Sequence, residues 1–291
     1  MDTLENIFSL PQNFAGLPEK YSDLKKAGVV ILPVPYDGTA EWHGGTRNAP
    51  QTIINASRYL EMYDRELDRE ICTIGIHTLP PLDPILSAPE SMVKRVYFAA
   101  QQILAAGKFP VMLGGEHTMS IGMVQALKEN YPDLCVLQFD AHADLRDEYL
   151  GTKYNHACAM RRIIEYCPIV QVGVRSFSLE ERDFIRERKL KPFYAEELTS
   201  DTAQQVVNAL GSAVYISVDV DVFDPSIMAA VGTPEPGGMS WQQVLDIVKL
   251  VTQKKNVVGF DVVELCPQEG PDACSYTAAK LVYKLIGYAV S

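Results

Sequence analysis

The feature of this sequence that most constrains its fold is an alternation of short apolar runs with longer amphipathic stretches. The apolar runs are rich in β-branched residues, which is typical of buried strands, and lie at 29–32, 110–113, 134–139, 169–172, 213–218 and 257–260. Periodicity predicts helices over 91–106, 119–129, 179–188, 202–210, 240–252 and 273–288. Ser240 and Gln243 have the spacing of a helix-capping box.

Strands and helices that alternate in this way predict an α/β fold with a parallel sheet covered on both faces. We therefore expect a three-layer α/β/α sandwich around a mostly parallel sheet. No linker rich in Gly, Ser or Pro interrupts the chain, so a single catalytic domain over residues 1–291 is predicted.

Composition excludes several classes of function. The 26 Lys and Arg residues against 37 Asp and Glu residues give a net charge of −11, which disfavours binding to nucleic acid or to an anionic membrane. The acidic stretch 1–6 does not resemble a secretory signal, and no apolar run approaches the roughly 18–20 residues of a membrane-spanning helix. Six cysteines without a C-x-x-C pair fit reduced thiols. These features predict a cytoplasmic protein.

Polar side chains follow four of the predicted strands at the point where each strand ends. Ligands of open α/β sheets bind beyond the carboxyl ends of the strands, so these clusters are expected to meet at one edge. The clusters are Gly114-Gly115-Glu116-His117, Asp140-Ala141-His142-Ala143-Asp144, Asp219-Val220-Asp221 and Asp261-Val262-Val263-Glu264.

The spacing of the acidic clusters predicts a metal site. In an extended chain, Asp140, His142 and Asp144 point the same way, as do Asp219 and Asp221. Four carboxylates at one edge repel one another, so a pair of divalent cations is expected among them. Carboxylates with one or two imidazoles suit Mn²⁺, with Fe, Co or Zn as alternatives.

These motifs resemble the signature segments of the ureohydrolases, the family of arginases and agmatinases. The resemblance rests on Gly114–His117, Asp140–Asp144 and 217–225, and it extends from Pro35 to Glu264. Within the family the chain is most similar to agmatinases, because the stretch after Asp144 leads through Gly151 to His156-Ala157-Cys158.

The resemblance implies a binuclear Mn²⁺ centre. Asp140 and Asp219 would bridge both ions. Each ion's shell would be completed by one further pair, His117 with Asp144 and His142 with Asp221.

The resemblance also implies a reaction. Water activated by the metal pair would attack the carbon of a guanidinium group, which Glu264 would hold. Asp144 would accept a proton and deliver it to the leaving amine, and His156 would act as a mobile proton shuttle. With agmatine as substrate, the products would be putrescine and urea.

Several neighbouring residues are expected to have other roles. Glu116 is expected to support the site without binding metal, because His117 already occupies the ligand position at that point of the chain. Asp224 before Pro225 is expected to form a turn, and 232–238 a shaped loop. Residues 36–39 and 42–47 could form a lid, in which Trp42 and His43 depart from the commoner pattern of the family. His77 is expected in a loop or a half-buried position.

The substrate stays open among guanidino compounds. Arginase activity is disfavoured because the family's loop for the arginine α-carboxylate and α-amino groups is absent between Asp144 and His156. Guanidinobutyrate, aminopropylagmatine, guanidine and formiminoglutamate remain alternatives to agmatine, and Arg146 could favour an acidic tail.

Functions of other classes have less support. A deacetylase of the related fold would need adjacent histidines, which this chain lacks. A metallophosphoesterase would carry its Gly-Asn-His motif after the D-x-H element, whereas Gly-Gly-Glu-His precedes it here. No nucleotide-binding fingerprint occurs. A catalytically silent metal-binding homologue remains an alternative, and family likeness implies a homotrimer or homohexamer.

Overall fold

The computed structural model describes residues 10–85 and 87–290. Its strands are β1 (Val29–Val34), β2 (Tyr63–Asp64), β3 (Arg69–Glu70), β4 (Ile76–Thr78), β5 (Phe109–Gly114), β6 (Leu134–Phe139), β7 (Ile169–Val174), β8 (Phe193–Tyr194), β9 (Ala213–Asp219) and β10 (Asn256–Val263). Its helices are α1 (Glu19–Ser22), α2 (Ala49–Ser57), α3 (Pro89–Ala105), α4 (Ser120–Asn130), α5 (Ala159–Ile163), α6 (Leu179–Arg188), α7 (Thr202–Ala209), α8 (Trp241–Lys254) and α9 (Ala273–Ala289).

Eight strands form one sheet in the order β4-β1-β5-β10-β9-β6-β7-β8. Every pairing in this sheet is parallel. The short strands β2 and β3 form a separate antiparallel pair. The predicted α/β fold with a mostly parallel sheet is therefore confirmed.

The sheet separates two hydrophobic cores. Successive side chains of β1 alternate between them: Val29 and Ile31 pack with α2, α7, α8 and α9, whereas Val30 and Leu32 pack with α3, α4, α5 and α6. Because both faces of the sheet are buried, its central strands are apolar throughout rather than alternating with polar residues. These two helical layers and the sheet are the three predicted layers.

The predicted strands and longer helices are present, with ends that differ by a few residues. Ser240 and Gln243 form the predicted capping box at the start of α8. The prediction missed α1, α2, α5, β2, β3, β4 and β8. Most of these elements have two to five residues, too few for a periodic pattern to emerge.

The predictions about a secretory signal and about membrane-spanning helices concern the whole chain, of which the structure describes only part. The stretch 1–6, from which a secretory signal was excluded, lies outside them. Among residues 10–85 and 87–290, no helix combines the length and the apolar character needed to cross a membrane. All six cysteines are buried with free thiols.

Candidate functional site

The candidate site lies at the carboxyl edge of four adjacent central strands, β5, β10, β9 and β6. His117 begins a short 3-10 turn after β5, and Asp140 directly follows β6. Asp219 is the last residue of β9, and Glu264 directly follows β10. The structure thus brings the four polar clusters to one edge of the sheet.

A glycine allows β5 to reach this edge. A Cβ atom at Gly115 would lie 1.8 Å from the carbonyl oxygen of Tyr36, so only glycine fits without a backbone shift. The amide of Gly115 donates to Val34, and the amide of Glu116 donates to Tyr36. These contacts fix the backbone that carries His117.

The first group of ligand-type side chains surrounds His117. Its Nδ1 atom lies 3.1 Å from Asp140 Oδ2, 3.1 Å from Asp144 Oδ2 and 3.5 Å from Asp219 Oδ2. All four residues are buried. Three carboxylates therefore converge on one imidazole nitrogen.

The second group shares a carboxylate with the first. His142 Nδ1 lies 2.8 Å from Asp221 Oδ2 and 3.6 Å from Asp140 Oδ1. The ligand atoms of His117, Asp140 and Asp219, and those of Asp140, His142 and Asp221, each lie within 4.8 Å of one another. Asp140 thus belongs to two adjacent candidate metal groups.

The expected extended geometry of these segments is wrong, although the side chains do meet. Both strands end too early: β6 stops at Phe139, and Asp221 lies in a 3-10 turn after β9. Asp144 has a left-handed φ of 53°. The turns close on the carboxylates themselves, because Asp140 Oδ1 accepts from the amide of His142 and Asp219 Oδ1 accepts from the amide of Asp221.

The donor set fits a metal pair. His117 Nδ1 is buried and has no hydrogen-bond partner among the described residues. Its other nitrogen, Nε2, lies 2.9 Å from Ser217 Oγ, which donates to Asp261 Oδ1 at 2.7 Å. With the Nε2 proton on Ser217, the Nδ1 lone pair faces three carboxylates, and a cation between them satisfies every group.

The pKa shifts of the carboxylates in this group also favour a bound cation. Burial and the charge of Asp140 raise the pKa of Asp144 to about 7. Burial and the charges of Asp221 and Asp140 raise the pKa of Asp219 well above its usual value. Carboxylates in this position stay ionised only beside a strong counter-charge, which divalent ions supply.

A second layer of polar side chains orients the ligands. Tyr215 donates to Asp261 Oδ2 at 2.6 Å, which completes a buried chain that ends at His117. On the other side, Gln138 donates to Asp140 Oδ2 at 2.6 Å and accepts from Gln171 at 2.6 Å. Such contacts fix ring and carboxylate orientation before any ion binds.

Glu264 faces the cleft above the metal groups. It has a left-handed φ of 63°, and its Oε1 accepts from the amide of His117 at 2.6 Å. Removal from water, followed by the charge of Glu116, raises the pKa of Glu264 well above its usual value. A guanidinium is the kind of cation that such a half-buried carboxylate binds.

His156 and Glu116 meet through Thr39. The Thr39 hydroxyl donates to Glu116 Oε1 at 2.8 Å and lies 3.2 Å from His156 Nδ1. Glu116 also accepts from the Thr39 amide, and it belongs to neither candidate metal group. Removal from water lowers the pKa of His156, so this ring is neutral near pH 7. A neutral imidazole can both accept and donate a proton.

One cleft of about 270 Å³ adjoins the two ligand groups. Its lining includes His142, Asp144, Asp219, Asp221, His156 and Glu264. The lining also includes Glu41, Trp42, His43, Arg146 and Tyr149, of which Glu41 and Trp42 are exposed, and we call these five residues the outer wall. Trp42 and His43 come from the expected lid, and Glu41 lies between its two stretches. The two stretches are held together, because Asp37 accepts from the amide of Gly45.

Three expectations for residues around the site hold. Asp224 forms a turn by accepting from Ser226 and from the amides of Gly237 and Gly238, which lowers its pKa to about 2. Within the loop 232–238, Gly232 and Thr233 reach the cleft wall. His77 is half-buried and lies 2.7 Å from the carbonyl of Ser22, away from the cleft.

Sequence reasoning missed two residues that position the site. Glu181 accepts from the amide of Leu145, directly after Asp144, and Arg175 donates to the carbonyls of Asp221 and Glu235. The sequence carried a signal for Glu181, since Ser178 and Glu181 have capping-box spacing. Arg175 carried none, because its partners are main-chain atoms of distant loops.

Comparison with known proteins gives three concordant matches. A model described as "Arginase family" matches residues 27–287. The N(1)-aminopropylagmatine ureohydrolase of Synechocystis sp. is 36% identical over 96% of this chain and 96% of its own. The agmatinase of Pyrococcus horikoshii is 36% identical over 91% of this chain and 93% of its own.

A solved structure extends the match to three dimensions. The crystal structure of the agmatine ureohydrolase of Thermoplasma volcanium superposes with a TM-score of 0.88 and 32% identity. The superposition covers 98% of this chain and 96% of that one.

Proposed function

The chain belongs to the arginase family, and on that premise we propose that it hydrolyses the guanidino group of a linear alkylamine with the help of two divalent metal ions. The observation that carries this proposal is the buried Nδ1 of His117, which faces three carboxylates and adjoins a second imidazole group through Asp140. Both groups adjoin a cleft that also contains Glu264.

Six residues would hold the metal pair. Asp140 and Asp219 would serve both ions, His117 and Asp144 would complete the ligands of one, and His142 and Asp221 those of the other. When bound, such a pair lowers the pKa of water and so supplies a nucleophile at neutral pH. We propose Mn²⁺ as the metal because its preference for oxygen ligands matches the four carboxylates.

The chain's own side chains would hold the substrate and move protons. Glu264 pairs with the guanidinium, with Oε1 already fixed by the amide of His117. Asp144 takes up a proton and passes it to the leaving amine. His156, neutral near pH 7 and beside the Thr39 hydroxyl, exchanges protons between the cleft and solvent.

Two substrates have support. Agmatine, which would give putrescine and urea, is favoured by the motif after Asp144 and by the agmatinase of Pyrococcus horikoshii. N(1)-aminopropylagmatine is favoured by the Synechocystis relative. In both compounds the guanidino group ends a cationic alkylamine chain, so both suit an acidic cleft.

Three companion proposals rest on the sequence: the assembly on the resemblance, the location on composition, and the single domain on the lack of a Gly-, Ser- or Pro-rich linker. We propose a homotrimer or homohexamer in which each subunit holds its own site, a cytoplasmic location, and a single catalytic domain over residues 1–291. Analytical ultracentrifugation of the purified chain tests the first of these, and a monomer at micromolar concentration would overturn it.

The proposed function is tested by urea release. Protein stripped of metal and reloaded with Mn²⁺ is assayed with agmatine, N(1)-aminopropylagmatine, arginine, guanidinobutyrate and guanidine at equal concentration. Urea from agmatine or N(1)-aminopropylagmatine is expected, and the rate of Asp140→Asn should fall at least about a hundredfold because a shared ligand is lost. No urea from any compound, although metal is bound, would leave a catalytically silent homologue.

A further inference from the structure

The outer wall of the cleft contains charged and aromatic side chains that hydrolysis of the guanidino group does not use. Glu41, Trp42, Arg146 and Tyr149 lie there, on two loops. The loops are joined by a hydrogen bond from the Tyr149 hydroxyl to Glu41 Oε2. This contact places the exposed carboxylate of Glu41 in the same cleft as the half-buried Glu264, which would bind the guanidinium.

Glu41 differs from the other carboxylates of the cleft. Glu116 accepts from Thr39, Glu181 accepts from the amide of Leu145, and Glu264 accepts from the amide of His117. Asp219 and Asp221 belong to the candidate metal groups, and Asp144 lies 3.1 Å from His117 Nδ1. Glu41 makes no ion pair with any residue of 10–85 or 87–290. A carboxylate has about four lone-pair positions, so Glu41 can accept further bonds from a cation in the cleft.

The side chains around Glu41 suit an ammonium group. Trp42 lines the cleft and is 67% exposed; the His43 ring lies 4.2 Å from its ring, and the rest of the exposed indole surface can contact a cation. The guanidinium of Arg146 lies 4.5 Å from the ring centroid of Tyr149 and so supports the phenol that binds Glu41. Arg146 contacts the Tyr149 ring, and among the described residues it makes no ion pair with Glu41, so the Glu41 carboxylate can bind a ligand cation.

The charge of the cleft favours a cation over an anion. Seven carboxylates and one arginine line it. Two divalent ions and Arg146 leave a formal charge of −2 when all seven carboxylates are ionised. A ligand with an ammonium tail is therefore attracted to this cleft, whereas a carboxylate tail is repelled by all but Arg146.

We propose that Glu41, held by Tyr149 and flanked by Trp42, binds an ammonium group in the tail of the guanidino substrate and so selects cationic guanidino-alkylamines. This inference rests on the proposed function, since it concerns the other end of the same substrate. It makes Glu41 a specificity-determining residue that takes no part in breaking the C–N bond.

A pair of substrates that differ only in the tail charge tests this inference. Agmatine and pentylguanidine have the same chain length, with an ammonium group in one and a methyl group in the other. The kcat/KM ratio of agmatine to pentylguanidine, and that of N(1)-aminopropylagmatine to pentylguanidine, is measured for the Mn²⁺-loaded wild type and for Glu41→Gln. At least one ratio should fall tenfold or more in Glu41→Gln, and Tyr149→Phe should lower the same ratio to a smaller extent.

The chain offers a matched control. Glu129 accepts a hydrogen bond of 2.7 Å from the Tyr97 hydroxyl, the same pairing on a surface away from the cleft. Glu129→Gln should leave both ratios within twofold of the wild type. Unchanged ratios in Glu41→Gln would overturn the inference, as would a preference for guanidinobutyrate that Arg146→Gln abolishes.

A binding measurement separates failure of this inference from failure of the proposed function. Calorimetric titration with spermidine needs no turnover. Its dissociation constant should rise at least tenfold in Glu41→Gln and stay unchanged in Glu129→Gln. If no guanidino compound is hydrolysed, the proposed function fails and spermidine binding alone decides whether Glu41 binds ammonium groups. Equal or undetectable binding in wild type and Glu41→Gln would contradict it.

Discussion

His117 shows how a single residue is prepared for one role. Its ring is buried, with Nε2 on Ser217 and Nδ1 directed at Asp140, Asp144 and Asp219. Ser217 Oγ donates to Asp261, so it is placed to accept the Nε2 proton of His117, and Nδ1 faces the carboxylates. A ligand oriented in this way loses little conformational entropy when an ion binds.

This arrangement predicts that Ser217→Ala weakens metal binding. Without the hydroxyl, His117 loses the acceptor that fixes its ring, and Asp261 loses one donor. The dissociation constant for Mn²⁺, measured by competition with a chelator, should rise about 10–100-fold. Ser57→Ala is the matched control, because Ser57 is also buried and hydrogen-bonded but lies with Ala15 and Ile54. Equal weakening in both variants would contradict the role of Ser217.

At the residue scale, the sequence predicted which side chains meet at the sheet edge but not the backbone conformation that brings them together. The strand-end rule located Asp140, Asp219 and Glu264 because a parallel sheet has one carboxyl edge. The left-handed φ values of Asp144 and Glu264 could not be predicted from local sequence. They depend on distant contacts: Asp144 accepts from the amide of Arg161, and Glu264 donates to Gly115.

Helix α6 connects local capping with the site. Ser178 and Glu181 form the capping box that starts this helix, and the same Glu181 accepts from the amide of Leu145 at 2.9 Å. A helix terminus thereby holds the loop that carries Asp144. The second capping box, on α8, has no contact of this kind within the described ranges, since Ser240 and Gln243 bond to each other.

Replacing the third helical residue of each capping box by Ala should have different effects in α8 and in α6. Gln243→Ala should lower the free energy of unfolding by about 1 kcal/mol and leave urea release unchanged. Glu181→Ala should lower it by about 2–4 kcal/mol, since the buried amide of Leu145 also loses its acceptor. Its kcat/KM should fall at least tenfold. Urea-denaturation curves and kinetics check both variants, and full activity in Glu181→Ala would contradict the connection.

At the element scale, prediction succeeded where periodicity was long. Helices α3, α4, α6, α8 and α9 have ten or more residues, which is long enough for their hydrophobic periodicity to be recognised in the sequence. The prediction missed α2, although Pro50 in its first turn is typical of a helix start; α2 follows a 3-10 turn, and Asn48 before it makes no side-chain capping bond. Strand β8, with two residues, is defined only by its pairing with β7.

The whole molecule contains a second buried charge cluster, remote from the site. Lys284 on α9 is buried and lies 3.1 Å from Asp64 Oδ1, and it also bonds Glu66. Lys249 on α8 and Tyr288 on α9 bond Glu66 as well. The cluster ties the β2–β3 pair to two helices of one face.

This cluster predicts a pH dependence of stability. Burial disfavours the charged form of Glu66, but bonds from Lys249, Lys284 and Tyr288 outweigh burial and lower its pKa from 4.5 to about 2. Since the folded pKa is depressed, the stabilisation is fully present above pH 4.5 and is lost as the pH falls towards 2. Glu66→Gln should cost about 1–2 kcal/mol at pH 7, because solvent at this partly exposed residue screens the interaction.

Denaturation curves of metal-free protein at several pH values check this prediction. The difference between wild type and Glu66→Gln should narrow steadily below pH 4.5. Glu61→Gln, at an exposed glutamate close by in the sequence, should differ little from wild type at any pH. A Glu66→Gln difference that stays constant down to pH 3 would contradict the assignment of the stabilisation to the ionised carboxylate.

The central claim for the whole molecule is that two adjacent ligand groups, joined through Asp140, bind two metal ions that the reaction needs. It is tested most directly by titrating metal-free protein with Mn²⁺ while metal content and urea release from agmatine and N(1)-aminopropylagmatine are followed on the same samples. Urea release should rise as the second ion per chain binds, and Asp140→Asn should show neither tight binding of Mn²⁺ nor activity. Full activity with one ion per chain, or no urea with two bound, would contradict it.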